Sequence, residues 1–114
     1  MRKNLDKNIV NDLKEGFELS LFNSPNPSAM ISLRAAEGII KNYYKSKGGD
    51  TENKNLNQII DDLEKQFKVK KSLVGYLHFI RDKRNQSAHP GTIFSQEDSE
   101  EILNQVKSLL KLIK

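Results

Sequence analysis

The spacing of the apolar residues is the feature that most constrains the fold of this chain. In five segments they recur at steps of three and four residues, the period of an amphipathic α-helix. No useful length alternates with the period of two that a half-buried strand requires. Turn-forming residues interrupt the pattern at SPNPS (24–28), KGGDTENKN (47–55) and HPGTIFS (89–95). The sequence therefore predicts an all-α fold.

The limits of the helices follow from capping signals and from the breaks in the pattern. We expect helices over about 4–22, 27–47, 55–67, 70–88 and 96–114. Signals for three helix starts are Asn26 with Pro27, Asn55 with Gln58, and Ser95 with Asp98. Short connections between such helices favour antiparallel neighbours, so the predicted architecture is an up-and-down bundle of four main helices plus a short one.

Length and composition narrow the class of protein. A chain of 114 residues has the size of one domain, which we assign to residues 1–114. It contains no cysteine, and it carries neither a long apolar run nor a secretory signal, so we expect a cytoplasmic protein without a membrane span. The net charge of +4 is compatible with a nucleic-acid partner and equally with a solvated, lysine-rich surface.

Two charged residues interrupt apolar stripes. In the fourth helix the row Leu73, Leu77, Ile80 continues to Arg84, and in the second helix a similar row contains Glu37. An isolated buried charge would cost several kcal/mol, so we predict that Glu37 and Arg84 meet across a helix interface. The alternative is that both side chains lie at the edge of their stripes and extend to water.

The fourth helix is apolar almost all round, because Val74, Tyr76 and Phe79 lie off its main stripe. Such a helix is buried on more than one side. It either lies at the centre of the bundle or packs against a second protein chain. We favour packing against a second chain, since in a bundle this small most helices keep one face exposed to water.

The polar end of the fourth helix carries the candidate chemistry. His78, Asp82, Asn85 and His89 follow one another at helical spacing on one side, whereas Arg84 and His89 are about 140° apart on an ideal helix. Arginine binds phosphate oxygens in a fork and histidine moves protons near neutral pH. A histidine at a helix C-terminus also stabilises the helix dipole, so spacing alone leaves both interpretations open.

These residues resemble a known family. In RNQSAH, Arg84 is followed by a polar residue, and four positions separate Arg84 from His89. This segment resembles the Arg-x4-6-His motif of the HEPN superfamily of helical domains. PSAMISLRAAEGII and IRDKRNQSAHPG are similar to the second and fourth helices of prokaryotic HEPN-like domains. The resemblance covers the chain from Pro27 to the C-terminus. Ser87 stands where some toxin members have the Tyr of a Tyr-x-His variant, so modification of that tyrosine is not supported here.

The resemblance implies a metal-independent endoribonuclease that works as a homodimer, with the two fourth helices around one composite cleft. His89 would then transfer protons, Arg84 would bind the scissile phosphate, Asn85 would orient His89 or touch RNA, and Glu37 would position the arginine. We count His78 and Asp82 as further candidates for RNA contact. A toxin or defence role, an antitoxin partner and a fused domain are compatible with the resemblance, as is a non-catalytic dimerisation or docking module.

Other chemistries have little support in the sequence. The acidic clusters at Asp61-Asp62 and 97–101 have no histidine or cysteine at ligand spacing, so we expect neither a metal site nor a cofactor. Negative charge at the second cluster suits the start of the last helix. Tyr43 and Tyr44 are interpreted as core and dimer surface rather than as a platform for stacking bases.

Overall fold

Five α-helices make up the architecture of the part of the chain that the structure describes. This structure, a computed structural model, describes residues 7–21 and 25–113. The helices are α1 (Lys7–Leu21), α2 (Pro25–Ser46), α3 (Leu56–Lys65), α4 (Lys71–Ser87) and α5 (Gln96–Ile113). The described residues contain no strand, and the predicted all-α bundle is confirmed. The first predicted helix, about 4–22, extends at both ends outside the described residues.

Two of the three predicted helix starts have the expected capping geometry. The Asn55 side chain accepts a hydrogen bond from the Gln58 backbone at 2.9 Å, and the Gln58 side chain accepts one from the Asn55 backbone at 2.9 Å. Ser95 and Asp98 form the same reciprocal pair at 3.1 and 3.2 Å. Each box satisfies two donors that the first turn would otherwise leave without a partner.

The prediction for Asn26 was wrong. Helix α2 already includes Pro25, so Asn26 lies inside its first turn. The Asn26 side chain instead accepts a hydrogen bond from the backbone N–H of Phe94 at 2.9 Å. This contact joins residues 68 positions apart and fixes the segment between α4 and α5 against the start of α2.

Helix α2 lies at the centre of the bundle and contacts all four other helices. Its residues Leu33, Ile40 and Tyr44 are almost fully buried, and Leu77 and Ile80 of α4 face the same core. Burying a side chain such as Leu or Ile stabilises a fold by about 1.5–3 kcal/mol. This core holds α2 and α4 together, which sets the relative position of the charged residues on them.

Helix α4 packs against α2, α3 and α5. Tyr76 and Phe79, two of its residues off the main apolar stripe, are half-buried against the core. Packing within one chain therefore accounts for part of the apolar character of α4, for which the sequence favoured packing against a second chain. The opposite side of α4 is exposed at Gly75, Asp82 and Gln86. Across the described residues, none of the helices combines the length and hydrophobicity of a membrane span.

Candidate functional site

Glu37 of α2 and Arg84 of α4 form the predicted ion pair. The Nε of Arg84 donates a hydrogen bond to Oε1 of Glu37 at 3.1 Å, and Nη2 of Arg84 lies 3.1 Å from the same oxygen. The other carboxylate oxygen, Oε2, lies 3.0 Å from Nζ of Lys41, one turn further along α2. On the far side of the guanidinium, Nη1 of Arg84 donates to Ser87 Oγ at 3.4 Å. Two side chains, Glu37 and Ser87, thus orient the guanidinium, and Lys41 contacts the carboxylate of Glu37.

The ion pair lies at the edge of the core rather than inside it. The side chain of Arg84 is 38% exposed and that of Glu37 is 23% exposed. Ion pairs this accessible contribute only about 0–1 kcal/mol to stability, because water screens them. The prediction of a contact is confirmed, while the guanidinium also remains accessible to solvent. The arrangement therefore orients Arg84 more than it stabilises the fold.

An open groove of about 410 Å³ runs beside this pair. It lies where α2, the start of α3 and the end of α4 meet, and its lining is mostly polar: Glu37, Asn55, Leu56, Asn57, Arg84, Asn85, Ser87 and Ala88. Asn85 and Asn57 are exposed there, whereas the Asn55 side chain is engaged in the cap of α3. The groove can accept an anion at the guanidinium with amide groups around it. Nothing in the sequence pattern indicated that Asn57 and Arg84 would line the same groove.

His89 lies outside this groove, on the turn that follows α4. The helix ends at Ser87, and the backbone N–H of His89 donates to the Gln86 carbonyl at 3.1 Å. The chain then turns through Pro90 and Gly91, whose φ of 84° suits glycine, and the N–H of Thr92 donates to the His89 carbonyl at 3.3 Å. The His89 side chain is exposed and makes no hydrogen bond or ion pair with the described part of the chain.

The other two residues of the predicted row are engaged elsewhere. Nε2 of His78 lies 2.8 Å from Oε1 of Glu64, so this imidazole faces α3. Asp82 is exposed, and its nearest cation is its neighbour Arg81 at 3.3 Å. The structure thus brings Glu37, Arg84 and Asn85 together in one groove. It places His78, Asp82 and His89 outside it.

A second polar cluster, which we did not predict, lies two turns further along α2. The hydroxyl of Tyr44 donates to Oδ2 of Asp62 at 2.6 Å, and Nζ of Lys54 lies 2.8 Å from that oxygen and 2.7 Å from the hydroxyl. The hydrogen bonds from Lys54 and then from Tyr44 lower the pKa of Asp62, and the bond to Asp62 raises the pKa of Lys54. The sequence predicted core and dimer surface for Tyr44; its burial confirms the core, and nothing in the local pattern indicated Lys54 and Asp62 as its partners.

This cluster closes the connection between α2 and α3. Tyr44 is only 1% exposed, its ring packs edge-on against Phe67 at 5.7 Å, and the backbone of Gly49 lies directly against it. Because its hydroxyl, ammonium and carboxylate bond to one another, we interpret the cluster as a structural contact rather than a second reactive site. Among the described residues, no group of three or more His, Asp or Glu side chains is arranged to hold a metal ion.

Comparison with known proteins gives one finding. Residues 17–113 match the family described as "Domain of unknown function (DUF4145)". The match leaves out residues 1–16 and Lys114, and it includes every residue of the groove and of the turn that carries His89. No curated protein and no solved structure gives a match.

Proposed function

The chain belongs to the DUF4145 family, and we propose that it is a metal-independent endoribonuclease of the HEPN type. The observation that carries the proposal is the state of Arg84. Its guanidinium is oriented by Glu37 and Ser87 but is still 38% exposed beside an open groove. A guanidinium that is fixed in place and accessible can bind the phosphate of an RNA phosphodiester in this groove. The resemblance of RNQSAH to the Arg-x4-6-His motif supplies the reaction.

The proposed reaction needs no group beyond the RNA and the protein. The 2′-hydroxyl oxygen of the RNA attacks the adjacent phosphorus while a base removes its proton. The bond from phosphorus to the 5′-oxygen of the next nucleotide breaks, and an acid gives that oxygen a proton. The products are a 2′,3′-cyclic phosphate and a 5′-hydroxyl end. Proton transfers of this kind contribute about 10²–10⁴-fold each to the rate.

Each residue has a distinct role in this scheme. Arg84 binds the non-bridging phosphate oxygens and stabilises the negative charge that grows on them in the transition state. Glu37 is a positioning residue, because it contacts the guanidinium and not the RNA. Asn85, which is exposed in the groove, contacts the RNA. His89 transfers protons, and its free imidazole on an exposed turn is suited to that role.

A homodimer through α4 completes the site. One chain supplies a single histidine of the motif, whereas the reaction uses a base and an acid. Two copies bring two His89 side chains, and His89 of one chain then need not lie in the same groove as its own Arg84. The proposed dimer is checked by light scattering, which should give twice the 13.1 kDa mass of the chain. A monomer at every concentration would contradict the composite site.

One observation favours a second candidate function. His89 does not line the groove that contains Arg84, and Arg84 is already paired with Glu37. In a non-catalytic HEPN-like module, Arg84 and Glu37 would be a structural pair and α4 would mediate dimerisation or dock a protein partner. The two candidates differ in whether the groove and the turn act on RNA.

An RNA cleavage assay distinguishes the candidates. Purified protein is incubated with single-stranded and structured RNA in the presence of a chelator, alongside Arg84→Ala and His89→Ala. We expect cleavage by the wild-type chain, a loss of about 10²–10³-fold in Arg84→Ala, and a loss of about 10²–10⁴-fold in His89→Ala. Arg84→Ala should remain folded, because Glu37 keeps Lys41 as a partner.

Arg81→Ala is the matched control. It removes a guanidinium one turn earlier on the same helix, where the ion-pair partner of Arg81 in the described part of the chain is Asp82 at 3.3 Å. This variant should cleave RNA at the wild-type rate. Activity that survives both Arg84→Ala and His89→Ala would reject the site, and a folded wild-type chain without activity on either RNA would favour the docking module.

A further inference from the structure

A second groove lies at the opposite end of α4 from Arg84. It has a volume of about 230 Å³ and forms where the ends of α2 and α5 meet the start of α4. Its lining combines lysines with aromatic and aliphatic side chains: Tyr43, Lys47, Phe67, Lys68, Val69, Lys70, Ser72, Leu73 and Leu112. The 17 residues of α4 separate the two grooves by about 25 Å.

Among the described residues, no carboxylate pairs with the lysines of this groove. Lys47, Lys68 and Lys70 are exposed, and none of them has a carboxylate within 4.0 Å in the described ranges. The Nζ of Lys47 lies 5.4 Å from the centre of the Tyr43 ring, a cation–π contact at the rim. The groove therefore offers unneutralised cations next to an aromatic face.

Helix dipoles explain the lysines at the helix ends in this part of the bundle but not Lys70 and Lys71, which start α4. Lys45, Lys65 and Lys111 lie in the last turns of α2, α3 and α5, where positive charge stabilises the helix. Lys70 is the N-cap of α4 and makes no capping hydrogen bond, and Lys71 follows it in the first turn. Positive charge at a helix start opposes the dipole.

Lys68 also has a backbone conformation that is unfavourable for lysine and lowers the stability of the fold. Its φ is 50°, in the left-handed region where glycine is the favourable residue. The turn that requires this conformation is closed by the backbone N–H of Val69, which donates to the Leu63 carbonyl at 3.1 Å. Lys68 and Lys70 thus stand where glycine and a capping residue, respectively, would give a more stable chain. Residues that cost stability in this way are typical of functional surfaces.

We infer that this groove binds single-stranded RNA. Lysines in a groove neutralise backbone phosphates, and aromatic faces beside them stack bases without regard to sequence. Tyr43 and Phe67 are half-buried, so each ring is held in place while part of it remains accessible. For Tyr43 this inference replaces the expectation from the sequence, which favoured core and dimer surface over base stacking. The choice of RNA rests on the proposed function. The groove would hold the substrate about 25 Å from the cleavage site, so that a long RNA contacts both ends of α4.

The test uses an RNA that the proposed enzyme cannot cleave. A fluorescent 2′-O-methyl oligouridine of about 16 nucleotides lacks the attacking hydroxyl, so its binding is independent of catalysis. The full chain is compared with the double variant Lys68→Gly, Lys70→Ser by fluorescence anisotropy over a range of salt concentrations. We expect roughly tenfold weaker binding and a salt slope smaller by about 1.4, the value for two lost phosphate contacts on a single strand. The melting temperature should rise, by about 4 °C.

The matched control is Lys7→Gln, Lys14→Gln, which removes the same charge from exposed positions on α1. It should bind the oligouridine with close to wild-type affinity. Equal loss of affinity in both double variants would overturn the groove as the site and leave only a general charge effect. Polyglutamate that binds as tightly as the oligouridine would overturn RNA as the partner. Weakened binding of Lys68→Gly, Lys70→Ser supports the inference even if no RNA is cleaved.

Discussion

Two charged clusters are centred on residues of α2 two turns apart; their ion pairs are similarly exposed, and they differ in how their groups are bonded and in what lies beside them. Around Tyr44, the hydroxyl, the Lys54 ammonium and the Asp62 carboxylate bond to one another within 2.6–2.8 Å. Around Glu37, the Arg84 guanidinium is held at 3.1 Å but faces an open groove. A charged network that is closed on itself serves the fold, and one that is open on one side has capacity for a ligand.

The difference comes from what covers each cluster. The turn after α2 passes over Tyr44, and the Gly49 backbone lies against its ring. Beside Arg84 the chain leaves α4 at Ser87 and turns away, so the groove stays open to solvent. Substitutions in the Tyr44 cluster should therefore mainly lower stability, whereas substitutions around Arg84 should mainly lower the rate of RNA cleavage.

The largest expected effect separates activity from stability. Glu37→Gln removes the charge that orients Arg84, and a catalytic group displaced by about 1 Å costs about 100-fold in rate. Tyr44→Phe removes two hydrogen bonds from the closed cluster, those to Asp62 and from Lys54, and should lower the free energy of unfolding by about 1–3 kcal/mol without slowing cleavage. Cleavage rates and urea denaturation of both variants test this pair of outcomes.

A second variant tests whether Glu37→Gln acts through the lost charge or through a general loss of structure. Glu37→Asp keeps the charge and should recover part of the lost cleavage, whereas a purely structural role would not link the rate to the charge. If Tyr44→Phe slows cleavage as strongly as Glu37→Gln does, the separation of the two clusters is wrong.

The next effect concerns the closed cluster alone. A Cβ at Gly49 would lie 2.5 Å from the Tyr44 ring, and that ring cannot move aside because Lys54 and Asp62 both hold its hydroxyl. Gly49→Ala should therefore lower the free energy of unfolding by about 1–3 kcal/mol, the range for overpacking. Chemical denaturation measures this change.

Gly75→Ala is the matched control for that substitution. A Cβ at Gly75, in the middle of α4, would meet nothing within 4 Å, so alanine should stabilise the single chain by about 0.5–1 kcal/mol through its helix propensity. Because Gly75 is on the exposed side of α4, the same variant also reports on the proposed dimer. A loss of stability that depends on protein concentration would indicate that a second copy packs closely there.

The smallest effect is a change in the pH dependence of stability. Lys54 first, and Tyr44 second, lower the pKa of Asp62 from its ordinary value of 3.8. A carboxylate with a lowered pKa stabilises the fold above its ordinary pKa, and that contribution is lost as the pH falls through the lowered value. Asp62→Asn should therefore melt below the wild-type temperature at neutral pH, and the difference should shrink as the pH falls below 3.8.

Asp61→Asn is the control for the pH measurement, since Asp61 is the exposed neighbour of Asp62 on α3. Its melting curve should follow the wild-type curve at every pH. A constant difference between Asp62→Asn and the wild-type chain down to strongly acidic pH would show that the carboxylate charge does not hold the cluster together.

Much of the fold could be predicted because helices are encoded locally. The cap of α3 depends on Asn55 and Gln58, three residues apart, and both were found. The contact between Glu37 and Arg84 was also predictable, since each charge interrupts an apolar stripe and an unpaired buried charge is costly. The prediction that Asn26 caps the second helix was wrong because the contact of its side chain is not local. Its partner, Phe94, is 68 residues away, and no local pattern records that contact.

The candidate site was only partly predictable for a similar reason. The periodicity of α4 placed His89 near Asn85, but the helix ends at Ser87, and helical spacing no longer applies beyond that point. The lysines at the start of α4 were visible in the sequence as KVKK, yet their meaning depends on the φ of Lys68 and on the capping position of Lys70. Those are properties of the folded backbone, not of composition.

The most direct test of the central claim is the chemistry of the RNA ends. If Arg84 and His89 act as proposed, mass spectrometry of RNA cleaved in the presence of a chelator will find 2′,3′-cyclic phosphate and 5′-hydroxyl ends. The Arg84→Ala and His89→Ala variants should not produce these ends above background. Products with 3′-hydroxyl and 5′-phosphate ends, or intact RNA after incubation with folded wild-type protein, would contradict the account.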